Sequence, residues 1–207
     1  MTQTLTQLTK EIKSCRICAK HLPLGPRPVI QVSVQAKILI VGQAPGSKVH
    51  ETGVLFDDPS GERLRQWMGI DASVFYNPKK IAIVPMGFCY PGAGRSGDLP
   101  PRPECADTWR EQLLALMPNI QFTLVIGQYA QKWHLGALQK VSLTETVRAW
   151  REYAPRLMAL PHPSPRNNIW LKKNEWFETD VLPYLRAHIS QLLIDPCPNQ
   201  PNPTSSN

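Results

Sequence analysis

No run of about 18 apolar residues occurs in this chain, so nothing in it reads as a membrane-spanning helix. The stretch MTQTLTQLTKEIKSC is polar and periodic and lacks the apolar core of a signal peptide, which makes the cytoplasm the expected location. Internal repeats are absent, and no shift in composition marks a second domain. Acidic residues are in short supply. Sixteen Asp and Glu against 23 Lys and Arg leave a formal charge of +7 and a pI near 9.3, a balance that favours a polyanionic partner.

What is present is a globular composition, 42% hydrophobic over 207 residues, enough for one substantial core. The 21 prolines gather at 23–28, 85–103 and 155–165, which points to stiffened loops on a rigid scaffold. Four short apolar runs read as buried strands: 38–41, 80–84, 122–126 and 156–160. Helical spacing predicts helices over 2–14, 61–69, 106–117, 128–135, 143–150 (with Thr144 as a cap) and 174–194. Strands alternating with helices predict a three-layer α/β/α domain on a central four-stranded parallel sheet. One domain is expected over 1–194, monomeric, followed by a polar, proline-rich, disordered tail at 195–207.

The chain is organised around residues 37–61, KILIVGQAPGSKVHETGVLFDDPSG. Its strand ends at Gly42, and the turn Gln43-Ala44-Pro45-Gly46 falls at the carboxyl edge of the sheet, where open α/β folds bind ligands. Phe56, Asp57 and Asp58 follow in a loop, and Ser60 stands where it can cap the next helix. An ordinary strand–loop–helix crossover explains the same residues.

Four of the five cysteines form a pattern. Cys15 and Cys18 make a C-x2-C pair, and Cys89 and Cys105 fall in later loops. Four thiolates suit tetrahedral zinc or an iron–sulfur cluster; unrelated free thiols or a redox-active pair would also fit. Cys197 is spare.

Three of these features together resemble the uracil-DNA glycosylase superfamily, in particular its iron–sulfur family 4 type. Gly42-Gln-Ala-Pro-Gly46 resembles the first motif, GEAPG, His162-Pro-Ser164 resembles the second, and the cysteine spacing matches the [4Fe-4S] pattern. Ser164-Pro-Arg-Asn167 is similar to the DNA-penetrating loop of the single-strand-selective monofunctional uracil glycosylases. The likeness runs from about Cys15 to Arg186.

The resemblance implies a monofunctional DNA glycosylase of base-excision repair, nucleoid-associated when acting on DNA, which flips a deaminated or damaged base and hydrolyses its N-glycosidic bond. Phe56 would stack on the flipped base, with Gln43, Ala44 and Met86 also binding it and Gln43 counted with His162 and Asp58 in the catalytic set; a core phenylalanine is the other reading of Phe56. His162 would donate a hydrogen bond to the base as negative charge develops, or else be a buried structural histidine. Ser60, Ser164, Pro165, Arg166 and Asn167 would contact DNA, with Arg166 holding the vacated space. Lys172, Lys173, Arg95 and Arg102 are further candidates for the phosphate backbone, and Trp170 and Trp176 read as core. Cys15, Cys18, Cys89 and Cys105 would ligate a [4Fe-4S] cluster, zinc being the alternative occupant.

Two positions depart from the family. Gln43 replaces the glutamate of GEAPG, so Asp58, ahead of Asp57, becomes the candidate general base, unless both are helix-preceding carboxylates. Pro85 stands where the family carries the asparagine that reads uracil, leaving the base open: uracil, hypoxanthine or xanthine. Both changes also admit a catalytically silent, lesion-binding relative, or one that crosslinks to the abasic sugar.

Overall fold

The computed structural model describes residues 3–95 and 97–194. The four apolar runs form one sheet because each is too short and too uniformly apolar to leave a polar face. The strands are β1 (Ile38–Val41), β2 (Ile81–Ile83), β5 (Phe122–Ile126) and β6 (Leu157–Leu160), with order β2-β1-β5-β6 and all pairings parallel. A separate two-stranded hairpin, β3 (Ala93–Gly94) with β4 (Gly97–Asp98), lies in the proline-rich loop.

Because side chains alternate along a strand, the sheet divides its residues between two buried layers. Ile38, Ile40, Ile83, Leu124 and Leu160 face one layer, packed by Leu64 and Trp67 of the helix Pro59–Met68 and by Leu185 and Ile189 of the helix Leu182–Leu193. Leu39, Val41, Ala82, Val125 and Ala159 face the other, against Leu8 and Ile12 of the helix Leu5–Ser14 and Leu113 of the helix Glu111–Ala115. This is the expected three-layer α/β/α architecture. The open edge of β2 is covered by the extended, proline-rich approach to the sheet: Gln31 exchanges both backbone hydrogen bonds with Ile83, at 3.0 and 2.7 Å.

Several boundaries fall elsewhere than the spacing predicts. The helix after the organising loop starts at Pro59, and its cap is Asp58, whose Oδ1 accepts from Gly61 N–H at 2.8 Å; Ser60 lies buried in the first turn and caps nothing. The helix at Leu143–Arg148 is capped by Ser142, in a capping box with Glu145, not by Thr144. Thr144 accepts instead from Trp170 Nε1 at 2.9 Å. The first helix begins at Leu5, after a Thr4–Gln7 capping box. The predicted 106–117 helix is continuous over 103–115 and π-helical at Ala106–Arg110. The last predicted helix is π-helical at Phe177–Val181 before Leu182–Leu193. Helices at Ser47–Thr52 and Asn168–Lys173 occupy stretches for which the spacing predicts no element. The 195–207 tail, with Cys197, lies outside the described residues, and no helix among those described is long and apolar enough to cross a membrane.

Candidate active site

At the carboxyl end of β1 the backbone is held open by its neighbour. Met86 N–H donates to Gly42 O and Gly87 N–H to Gln43 O, both at 2.9 Å, so the chain leaving β2 is stitched to the Gly42–Gly46 turn. Between them a cavity of about 100 Å³ is walled by the turn itself, Val49, Leu55, Phe56, Asp58, Ser60, Ile83, Pro85, Asp98 and His162. Segments distant in sequence thus meet where parallel sheets place ligands. Of the residues expected at the base pocket and in catalysis, Gln43, Ala44, Phe56, Asp58 and His162 come together, joined by Ser60, expected as a DNA contact. Met86 does not: its side chain packs in the second core layer, and Ile83 and Pro85 form that wall instead.

Phe56 is held in a conformation that phenylalanine rarely adopts, with φ 55°. Its carbonyl accepts from Tyr76 Oη at 3.2 Å and from Arg65 Nη1 at 3.4 Å, and its ring meets Phe75 edge-on at 5.9 Å. The ring tip stands over Gly42, 3.5 Å from where a Cβ there would lie. A strained aromatic fixed at a pocket wall offers a flat face for a ring.

The segment after β6 sets the protonation of His162. Its Nδ1 accepts from Ser164 N–H at 3.2 Å, so in the neutral ring the proton sits on Nε2, a donor. Burial pushes its pKa below the ordinary value, and the nearby Asp58 charge opposes this only in part. Asn167 Nδ2 donates to His162 O at 2.7 Å, and Ser164 Oγ accepts from Arg166 N–H at 3.2 Å, so both side chains brace the loop. Arg63 Nη1 donates to Ser164 O and to Asn168 Oδ1, at 3.1 and 2.8 Å. Pro165 and Arg166 remain on its exposed crest.

The two family departures have structural consequences. Gln43 Nε2 donates to Leu99 O at 2.8 Å and to Asp98 O at 3.3 Å, tying the hairpin loop to the pocket. That tie brings in Asp98, a carboxylate that no sequence motif singles out. Its Oδ2 lies 3.6 Å from where a Gly46 Cβ would stand. Partial burial raises its pKa, the Arg166 charge lowers it, and Asp58 adds a further rise. Asp57 is elsewhere, 3.7 Å from Lys48 Nζ. Arg102 is paired with Glu104, and Lys172 shares a surface groove with Arg63 and Arg186. Trp170 and Trp176 pack against the first core layer, as expected.

Cys18, Cys89 and Cys105 are buried and, with Cys15, free of disulfides. Burial pushes the Cys89 thiol up to about 11 and the Cys105 thiol up to about 12, and in both the charges of the other cysteines add to the rise, which places all four within electrostatic reach of one another. Among the described residues no group of three or more His, Cys, Asp or Glu is arranged to hold a metal ion. Cys18, Cys89 and Cys105 are thiols that burial makes costly to ionise, a cost that a bound cationic cluster would offset.

A family model described as the uracil DNA glycosylase superfamily matches residues 29–186, well over half of the chain. The match includes every residue of the pocket and leaves Cys15 and Cys18 outside it.

Proposed function

The chain belongs to the uracil DNA glycosylase superfamily, and we propose that it is a monofunctional DNA glycosylase that hydrolyses the N-glycosidic bond of a flipped, deaminated or damaged base. The observation that carries this reading is the pocket in which Asp58, His162 and the face of Phe56 surround the Gly42–Gly46 turn. Phe56 stacks the extruded base. One Asp58 oxygen is committed to the helix cap, and the other is free to orient water and take its proton. The water oxygen bonds to C1′ as the C1′–N bond breaks, and its electron pair leaves with the base. His162 Nε2–H donates to the base carbonyl as that negative charge develops, and the base anion is later protonated by solvent. Pro165 and Arg166 fill the gap in the stack, while the basic surface binds phosphates.

Cys15, Cys18, Cys89 and Cys105 hold a [4Fe-4S] cluster, zinc being the alternative, whose contribution is a structural tie between the N-terminal segment and the 89–105 loop. With Pro85 in the wall, a base-reading side-chain amide is missing there, and uracil, hypoxanthine and xanthine are the candidate bases. The family 4 likeness and the cytoplasmic, monomeric state belong to the same proposal.

The test is release of free base from single- and double-stranded oligonucleotides carrying each lesion, with Asp58→Asn and His162→Ala as controls. Release lost in both variants, with DNA binding kept, supports the enzyme. A second reading, a silent or sugar-crosslinking lesion binder, is favoured by one feature: the Gln43 amide is spent on the backbone carbonyls of Asp98 and Leu99. Binding without release, or a covalent band on a denaturing gel, would establish it.

A further inference from the structure

Behind the Pro85 wall lies a charge that the mechanism above does not use. Arg110 is completely buried, and no carboxylate pairs with it among the described residues. Its Nη1 donates to Pro85 O at 3.0 Å and to Val84 O at 3.3 Å; Nη2 reaches Val84 O at 3.4 Å and lies 3.0 Å from His134 Nε2. Trp133 covers the guanidinium, its ring centre 5.0 Å away. Nε has no partner among the described residues. Burying a guanidinium against carbonyls and a neutral imidazole, with no counter-ion, is costly, and a hydrophobic residue would fill the space more cheaply. Arg110 is also the last residue of the π-helical segment Ala106–Arg110, a rare geometry that recurs at functional sites.

Its position explains the cost. Pro85 lines the pocket and Arg110 does not, and the guanidinium binds the Pro85 carbonyl, so its charge stands directly behind one residue of the pocket wall. An anion leaving in that pocket faces a wall backed by a buried cation, in a medium where charges interact strongly.

We propose that Arg110 is a positioning residue for base release, orienting the Val84–Pro85 carbonyls and placing an uncompensated positive charge behind the departing base. This rests on the glycosylase reading above. Burial keeps His134 neutral, its pKa pushed down to about 3, and Arg110 stays charged at neutral pH although its own pKa falls to about 10. The pair therefore presents one positive charge.

The test uses leaving-group acidity. Single-turnover release of uracil and of 5-fluorouracil, a more acidic leaving base, is measured in the full chain and in Arg110→Gln and His134→Glu. The second variant leaves the arginine in place and supplies the counter-ion it lacks, so it carries the test alone if Arg110→Gln fails to fold. If release is confined to purines, hypoxanthine and the more acidic xanthine make the same comparison. The expected result in each variant is a loss of about tenfold or more on the poorer leaving group and less than about threefold on the better one, below the hundredfold typical of a group in direct contact. Equal losses on both bases mean that Arg110 only supports the fold, and overturn this proposal alone. No release of any base by the unmodified protein overturns the glycosylase reading and this one with it.

Discussion

Gly61 and Phe56 meet backbone to backbone: a Cβ on residue 61 would stand 1.8 Å from the Phe56 carbonyl oxygen. The first turn of a helix is thereby pressed against the residue whose φ of 55° sets the pocket wall. Gly61→Ala must move the helix or release Phe56, and an overpacked backbone contact of this kind costs on the order of 3 kcal/mol. The expected outcome is a lowered melting temperature together with loss of lesion binding. Phe56→Gly, which relieves the strained φ, should lose lesion binding while the fold holds, as thermal melts and gel shifts with lesion duplexes would show.

Asp58 caps a helix and, in the proposed mechanism, takes a proton from water, and substitution can separate the two. Its Oδ1 caps the helix Pro59–Met68, and asparagine caps about as well as aspartate. Asp58→Asn should therefore keep stability within about 0.5 kcal/mol, whereas Asp58→Ala should lose about 1 kcal/mol. Base release should collapse in both. If Asp58→Asn retained full activity, the carboxylate would be a cap and nothing more.

Much of the scaffold could be read from the chain because uninterrupted apolar runs such as Ile38–Val41 leave few alternatives to a buried strand. The caps were harder. Ser60 and Asp58 are both good N-cap types two residues apart, and Pro59, suited to the first helical position, is the signal that selects Asp58. Ser142-x-x-Glu145, by contrast, was a legible capping box. Asp98 was out of reach because the hairpin 93–98 is brought to the pocket by the long-range Gln43 bonds, which no local pattern announces. Arg110 was hidden for another reason. A π-helical segment breaks the 3.6-residue period that would have placed it on a face.

His162 gives a signed pH prediction for activity. Its neutral ring keeps the Ser164 N–H bond and the Nε2 donor; protonation adds a hydrogen at Nδ1 and forfeits that bond. Since burial lowers its pKa, release should hold as pH falls past the ordinary value of about 6.5 and decline only below it. His162→Gln should be slower and should lack this acid limb. A pH–rate profile of single-turnover release decides it, and a wild-type limb above the ordinary value would count against the assignment.

The cysteine assignment predicts cofactor and stability together. Protein purified without oxygen should carry iron and absorb broadly in the visible. Cys89→Ser and Cys105→Ser, which remove buried sulfurs, should lose both the band and thermal stability. Equimolar zinc in place of iron would identify the other occupant. An unchanged visible band in either variant would remove that residue from the ligand set.

His134 links the buried charge to global stability, and the direction follows from its depressed pKa. Folded, it stays neutral down to about pH 3, because burial first and the Arg110 charge second disfavour the imidazolium. Unfolded, it takes up a proton near its ordinary value of 6.5. Between those two values the unfolded state holds the extra proton, so stability falls as pH falls, by up to about 1.4 kcal/mol per pH unit for this one group. Above about 6.5 both states are neutral and the term vanishes. His162 contributes in the same direction, so a single acid-melt curve cannot apportion the effect. The comparison that can is His134→Gln, which preserves an acceptor for Arg110 and removes the titration. Urea midpoints for the two proteins should run parallel above about pH 6.5 and diverge below it, the variant losing less. Parallel curves down to about pH 5, where carboxylates begin to protonate, would mean that the imidazole is reached by solvent and that the Arg110 charge is not sealed from water.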